Sequence, residues 1–183
     1  KPTGGRRSPP ALRRPPAAQR RPIRRQPVRS MVLMSAKSPA EIVTEAMKIL
    51  GPRAEERGID ALSPAERAVV LTVWAAGIIG NGGFRYFYEG AYFRKGKNHI
   101  PALAESYELL GLSDAARATR KSVEFFPIGL PDRGPEQTNQ YMDGKSEKEL
   151  DAFFGPLDRA IWAVDRDQIL DTALAAVLAR GSR

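Results

Sequence analysis

The fold is decided by the stretch Leu62–Tyr88, which reads LSPAERAVVLTVWAAGIIGNGGFRYFY. It opens with a capping box, in which Ser63 is the N-cap, Pro64 takes the first helical position and Glu66 reaches back to the N-cap backbone. A helix is therefore predicted to begin at Pro64. The residues that follow decide how deeply that helix is buried.

From Ala68 to Ile79 this helix carries apolar side chains on every face, interrupted only by Thr72. A helix that is apolar all round is buried on most of its sides. The stretch therefore predicts a central helix with Trp74 near its middle and the other helices packed about it.

Three glycines and an asparagine follow the apolar run, at Gly80, Asn81, Gly82 and Gly83. Glycine adopts positive φ freely, so we expect Gly82 or Gly83 to hold positive φ and to end the buried helix, with Phe84 folding back onto it. A phosphate-binding loop is disfavoured, because the pattern G-x-G-x-x-G is missing and a helix C-terminus repels anions.

The rest of the body is also helical in pattern. Three further capping boxes are predicted, at Ser38–Glu41, Ser146–Glu149 and Asp165–Gln168. Apolar residues recur with helical spacing behind these boxes, and Gly155 and Pro156 are expected to kink or restart the helix that contains them. We predict an all-α fold, a single compact multi-helix domain of about six or seven helices around a central buried helix.

The positive charge of the chain is concentrated at its N-terminus. Residues 1–30 hold nine Arg, one Lys and no acidic residue, or +10, whereas residues 31–183 hold 19 basic and 21 acidic residues, or −2. An Arg/Pro-rich segment of this kind cannot bury enough apolar surface to fold. We expect a disordered arm over residues 1–35, either non-native or upstream-translated, and a helical domain over residues 36–183.

The segment after the glycines is rich in aromatic residues. Six lie within ten positions, and basic residues interleave with them or follow them: Phe84, Tyr86, Phe87, Tyr88, Tyr92 and Phe93, with Arg85, Arg94, Lys95 and Lys97. Such a set can stack on single-stranded nucleic acid, or it can pack its rings into the core with the cations at the surface. We favour core packing, because no β-sheet platform is predicted.

Residues that carry catalysis or bind metals are scarce. The chain has no Cys, and His99 is its one histidine, so thiolate sites and His-rich metal sites are excluded. We expect His99 to lie at a helix start or on the surface. Three aspartates at positions 165–171 suggest calcium, but Leu170 stands where a calcium loop needs glycine. We therefore assign no catalytic residue, cofactor or metal; a deep pocket gathering Asn81, His99 and a carboxylate would instead indicate an enzyme.

The stretch Leu62–Tyr88 resembles the bacterial DNA-mimic-protein-19-like family, a domain largely of unknown function. Gly80 stands where the family has the first Asn of an Asn-Asn-Gly-Gly-Phe turn, and the strings FFP at Phe125–Pro127 and LDRAIW at Leu157–Trp162 resemble later family motifs. The resemblance covers about Ser38–Leu178. The matching positions around the turn are Ser63, Pro64, Glu66, Trp74, Asn81, Gly82, Gly83, Phe84 and Phe87.

The resemblance implies an all-helical fold without known catalysis. The member that names the family is an acidic dimer that imitates DNA and occupies a DNA-binding protein. Mimicry needs carboxylates spread like phosphates over a broad surface. Residues 132–171 hold ten acidic and five basic residues, a local −5, whereas residues 84–121 sum to +3. We therefore expect one acidic face, and not mimicry over the whole surface.

We expect a cytoplasmic, non-enzymatic domain that binds a protein, with a DNA-binding protein as the candidate partner. The expected partner-facing acidic surface comprises Asp143, Glu147, Glu149 and Asp151. The alternatives are a nucleic-acid binder that uses the arm and the aromatic segment, and an enzyme of unknown reaction. The arm is expected to bind nucleic acid weakly and without sequence preference. No apolar run reaches the roughly 18 residues of a membrane span, so no membrane partner is expected, and a homodimer is compatible with this reading.

Overall fold

The computed structural model describes residues 37–91, 99–166 and 168–181. Within these ranges the chain forms seven α-helices and no strand, so the all-α prediction is confirmed. The predicted arm over residues 1–35 lies outside the described residues. The helices are α1 Pro39–Arg57, α2 Pro64–Tyr86, α3 Ile100–Leu109, α4 Ser113–Ser122, α5 Pro135–Asp143, α6 Glu147–Arg166 and α7 Ile169–Gly181.

Short helical turns complete the described part of the chain. Three are 3-10 turns, at Ile59–Ala61, Val123–Phe125 and Pro131–Arg133, and one is a π turn at Phe87–Ala91 that continues directly from α2.

Capping boxes start three of the helices, as the sequence predicts. In α2 the Ser63 backbone N–H donates to the Glu66 carboxylate over 2.9 Å, and the Glu66 N–H donates to the Ser63 hydroxyl over 3.3 Å. The Ser63 backbone bond and a side-chain bond from Arg53 help to hold the pKa of Glu66 below its usual value. The equivalent bonds are present at the starts of α1 and α6. Local sequence therefore fixes where these helices begin.

The structure corrects the helix start predicted at Asp165 and the helix restart predicted at Gly155 and Pro156. The predicted box at Asp165–Gln168 does not start a helix, because α6 continues through Arg166 and α7 begins at Ile169. Pro156 does not break α6 either, although it removes one backbone donor. Pro156 and Ala152, the residue whose carbonyl loses that donor, are both exposed, so water can replace the bond. Buried side chains on the opposite face keep the helix continuous.

Helix α2 lies at the centre of the core and packs against α1, α3, α6 and α7. Seven of its apolar residues have no exposed surface, whereas Trp74 is partly buried and Gly77 and Gly80 are exposed. The central position is therefore as predicted, although one edge of the helix reaches solvent. These seven residues are Ala68, Val69, Val70, Leu71, Ala75, Ile79 and Phe84.

The helical stretch Pro64–Gly90 is long and apolar enough to span a membrane by length and composition. This corrects the expectation that no such stretch exists. Half of its most apolar window is buried inside the fold, as in the core helix of a globular domain.

The described part of the aromatic segment packs mostly inward. Phe84, Phe87 and Tyr88 are fully buried, and their rings meet edge to face at centroid distances of 5.9 and 5.5 Å. The Tyr88 hydroxyl shares a 2.7 Å hydrogen bond with the Ser122 hydroxyl, and burial raises the pKa of Tyr88. Tyr86 is about half exposed, at 47 %. The buried rings of Phe84, Phe87 and Tyr88 are therefore unavailable for stacking on nucleic acid. Positions 92–97 lie outside the described residues.

Candidate functional site

The glycine turn, defined as Gly80–Phe84, bends α2 at a kink that separates two helical segments. Gly83 has φ +71° and ψ −172°, and helical structure resumes after it as far as Tyr86. The prediction of positive φ at Gly82 or Gly83 is thus confirmed at Gly83, and regular helical geometry is interrupted there as predicted, although a further helical segment follows directly. Gly82 is needed for a different reason, since a Cβ at this position would lie 2.6 Å from the Cβ of Tyr86.

The bend frees a backbone donor, and a carboxylate from α6 accepts it. In an unbroken α-helix the Phe84 N–H would bond to the Gly80 carbonyl. Here the Phe84 N–H donates over 2.7 Å to the Oδ1 of Asp158, which is buried. A Cβ on Gly83 would lie 2.4 Å from the Oδ2 of the same carboxylate. Asp158 therefore caps the segment after the bend, and only glycine fits beside it.

A second bond from α6 holds the other side of the bend. The indole Nε1–H of Trp162, one turn after Asp158, donates to the Ile79 carbonyl over 3.0 Å. In an unbroken helix that carbonyl would accept from Gly83. Two side chains of α6 thus bond to the backbone on the two sides of the glycine turn.

The environment of Asp158 opposes its ionisation. Burial raises the pKa of the Asp158 carboxyl, and the nearby Asp151 carboxylate raises it further. The hydrogen bond from Phe84 and the positive charge of Arg159 act in the opposite direction. Burial is the largest of these effects, so the carboxyl is shifted towards its neutral form.

These two side chains are the residues that sequence reasoning missed. The LDRAIW string is noticed as a motif, but without any contact assigned to its Asp or Trp. One signal was available: Asp158 follows Leu157 and precedes Ile161 on the apolar stripe of α6. A carboxylate on a buried stripe needs a hydrogen-bond donor, and a bent helix supplies one.

The other residues of the turn motif have structural surroundings. Asn81 is exposed, and its side-chain amide donates to the Gly77 carbonyl over 2.7 Å. Trp74 packs against the core from α2, and Phe84 and Phe87 are inside it. His99 occupies the position before α3, as expected for a helix start, but it is buried and not at the surface.

The predicted acidic surface lies where α5 gives way to α6, and we call its four residues the acidic corner: Asp143, Glu147, Glu149 and Asp151. All four are exposed. Arg85 forms ion pairs with Glu147 and, over 3.3 Å, with Glu89. A polar cavity of about 330 Å³ opens beside this arginine and includes Asp143 in its lining. Arg85 therefore pairs with Glu147 and lines the same cavity as Asp143.

The remaining two carboxylates of the acidic corner differ in position. Asp151 lies one turn after Glu147 on the same side of α6, whereas Glu149, two residues on, lies on the opposite side. Glu149 accepts hydrogen bonds from the Ser146 hydroxyl at 2.7 Å and the Ser146 N–H at 2.9 Å, which hold its pKa below the usual value. Glu147 and Asp151 thus share one side of α6, Asp143 is the last residue of α5, and Glu149 caps α6.

The comparisons with known proteins identify the family. A family model described as DMP19-like protein matches residues 60–180, about two thirds of the chain. The chain belongs to the DMP19-like family. No curated protein and no solved structure shows significant similarity to it.

The match places the boundaries of the DMP19-like region on the structure. It begins just before α2 and runs into the last turn of α7, so it contains the glycine turn, Asp158 and Trp162. The predicted resemblance from Ser38 extends too far, because α1 lies outside the match. Within the described ranges of this DMP19-like chain, no three His, Asp or Glu side chains are grouped as metal ligands.

Proposed function

We propose that this DMP19-like domain acts without catalysis by binding a protein that itself binds DNA, through the acidic corner. The supporting observation is charge: residues 122–151 hold seven acidic and three basic residues, a local −4. All four carboxylates of the acidic corner are exposed. A cluster of exposed carboxylates attracts a basic surface on a partner and raises the rate at which the two proteins associate.

The geometry favours a small target on the partner. DNA carries one negative charge per about 1.7 Å of its axis, so an extended mimic needs a long array of acids. From Glu147 to Asp151 the helix rises only about 6 Å, and Arg85 neutralises part of the charge beside them. The acidic corner therefore suits a compact cluster of Lys and Arg, such as one that grips a few phosphates, and not a whole DNA-binding groove.

The proposal is tested by competition with DNA. Full-length protein is immobilised, an extract of the source organism is applied, and retained proteins are eluted with duplex DNA and identified. We expect to retain a basic protein. Once purified, this protein should bind DNA and release it when the present chain is added. Retention of proteins that DNA does not displace and that do not bind DNA would overturn the proposal.

Matched variants locate the interface. Asp143→Lys with Asp151→Lys should slow association with that partner about 3- to 10-fold at low salt, and added salt should remove the difference. Glu55→Lys with Glu56→Lys changes the net charge equally on the exposed end of α1 and should have little effect. The equal charge change matters because residues 1–30 carry +10 in every variant.

A second candidate function rests on the basic residues at positions 1–30. Ten basic and no acidic residues over positions 1–30 favour weak, salt-sensitive binding to any nucleic acid. Removal of positions 1–30 should then abolish DNA binding, as measured by fluorescence anisotropy. Retention of single-strand binding would instead assign that activity to the body.

A further inference from the structure

Ile128 is the most exposed large apolar side chain of the described residues. Its relative exposure is 104 %, against 68 % for Ile49 and 49 % for Leu109. Single exposed apolar residues are common and need no explanation by themselves. The backbone that presents Ile128 is what sets it apart.

Ile128 occupies the tip of a hydrogen-bonded β-turn. The Leu130 N–H donates to the Pro127 carbonyl over 3.0 Å, and Gly129 has φ +74°, as the third residue of a type II turn requires. The two ends of the turn are held in the fold, since Phe126 and Pro131 are buried. Proline on each side further limits the backbone. The turn is therefore ordered before any partner arrives.

The same aromatic cluster supports this turn and the acidic corner. Phe125, which leads into the turn, lies 5.8 Å from the ring of Tyr141 and 5.1 Å from that of Phe153. Tyr141 belongs to α5 and Phe153 to α6, and the acidic corner lies on the chain between and beside them. The apolar tip and the carboxylates are thus attached to one rigid base.

We propose that Ile128 is an apolar anchor for the partner of the acidic corner, inserted into an apolar depression within that partner's basic surface. The inference rests on the proposed function for the identity of the partner. The local charge of −4 over residues 122–151 selects a basic surface, and the protruding isoleucine requires a depression within it. Interfaces concentrate their affinity in a few apolar anchors surrounded by polar contacts. A turn that is already ordered loses little entropy on binding.

The contact is tested first by photo-crosslinking in the full-length protein. Benzoylphenylalanine replaces Ile128 in one variant and Ile49 in another; Ile49 is exposed on α1, which packs mainly against α2 and α7. The expected result is one protein adduct at position 128 and none of the same mass at position 49. Absence of an adduct at 128, an adduct with nucleic acid, or one with a second copy of this chain would overturn the inference.

Affinity for the purified crosslinked protein gives the second measurement. Ile128→Ser should weaken binding about 10- to 100-fold, the loss expected for one buried isoleucine, chiefly through faster dissociation. The loss should persist at high salt, unlike that of Asp143→Lys with Asp151→Lys. Ile49→Ser should bind as the wild type does, and equal binding by Ile128→Ser would overturn the inference.

The outcomes separate the two proposals. A crosslinked partner that binds no DNA, yet loses affinity with Ile128→Ser, refutes the proposed function and retains the anchor. A DNA-binding partner that is sensitive to charge reversal but indifferent to Ile128→Ser refutes the anchor alone.

Discussion

The glycine turn and the acidic corner are held by opposite kinds of interaction. The glycine turn is buried at Gly83 and Phe84, and Asp158 and Trp162 bond to the backbone on its two sides. The acidic corner is exposed and is held by a local capping box and by ion pairs to Arg85. A buried, hydrogen-bonded arrangement tolerates little change, whereas exposed charges are nearly neutral for stability. The glycine turn therefore serves the fold, and the surface proposed to bind a partner is the acidic corner.

The largest expected effect is that of Gly83→Val. Valine would need positive φ, which costs about 1–2 kcal/mol, and its Cβ would overlap the Asp158 carboxylate. We expect a loss of about 3–5 kcal/mol of unfolding free energy in urea titrations followed by circular dichroism. Gly80→Ala is the control, because space around Gly80 is open, and it should be stabilising by about 0.5–1 kcal/mol. Equal stability of Gly83→Val and wild type would show that the bend is not needed.

Removal of the carboxylate cap is the next effect in size. Asp158→Ala leaves the buried Phe84 N–H without its acceptor and should cost about 1–3 kcal/mol. Asp158→Asn retains an oxygen acceptor and should cost less.

The two Asp158 variants should also differ from wild type in their pH dependence. Because the folded pKa of Asp158 is raised, folding takes up a proton between its usual pKa of 3.8 and the raised value. Wild-type stability should therefore fall, relative to Asp158→Asn, as pH rises through the raised pKa. An opposite slope in melting temperatures across that range would contradict the burial of this carboxyl.

A smaller effect is expected for Trp162→Phe. The change removes the indole donor to the Ile79 carbonyl and little apolar contact, since Trp162 is 38 % exposed. The expected cost is about 0.5–1.5 kcal/mol. Asp158→Ala combined with Trp162→Phe should be non-additive, because both bonds support one bend. Strict additivity in a double-mutant cycle would mean that the two bonds act independently.

The smallest effect on stability is expected at the acidic corner. Asp143→Lys with Asp151→Lys should change the unfolding free energy by less than about 0.5 kcal/mol, since both carboxylates are exposed. The same pair should alter partner association, so stability and binding should separate cleanly between the two regions. A melting temperature that falls as far as that of Asp158→Ala would show that the corner is part of the fold.

Local interactions account for what the sequence predicts well. Ser38, Ser63 and Ser146 each start a helix through a partner three residues away, and the apolar run of α2 shows its burial directly. Positive φ at Gly83 follows from residue type. Each of these features depends on neighbours along the chain.

The features that escape prediction depend on tertiary contacts. Helical structure resumes after the bend in α2 because Asp158, from α6, accepts the hydrogen bond of the Phe84 N–H. Pro156 is tolerated because the face on which it removes a bond is exposed. The exposure of Ile128 could not be read from the sequence, since the string FFPIGLP gives no sign of which apolar residue remains outside. The acidic residues were found by composition, but the pairing of Glu147 with Arg85 required the fold.

The bond between Asp158 and Phe84 also bears on the order of events during folding. It joins residues 74 positions apart, so a long loop must close before it forms. The start of α2 needs only its own capping box and can form early, whereas the bend waits for α6 to dock. Asp158→Ala should therefore mainly accelerate unfolding and leave the refolding rate nearly unchanged in stopped-flow experiments. The bend in α2 would then form late in folding. It would set the lifetime of the native state and not the rate at which that state is reached.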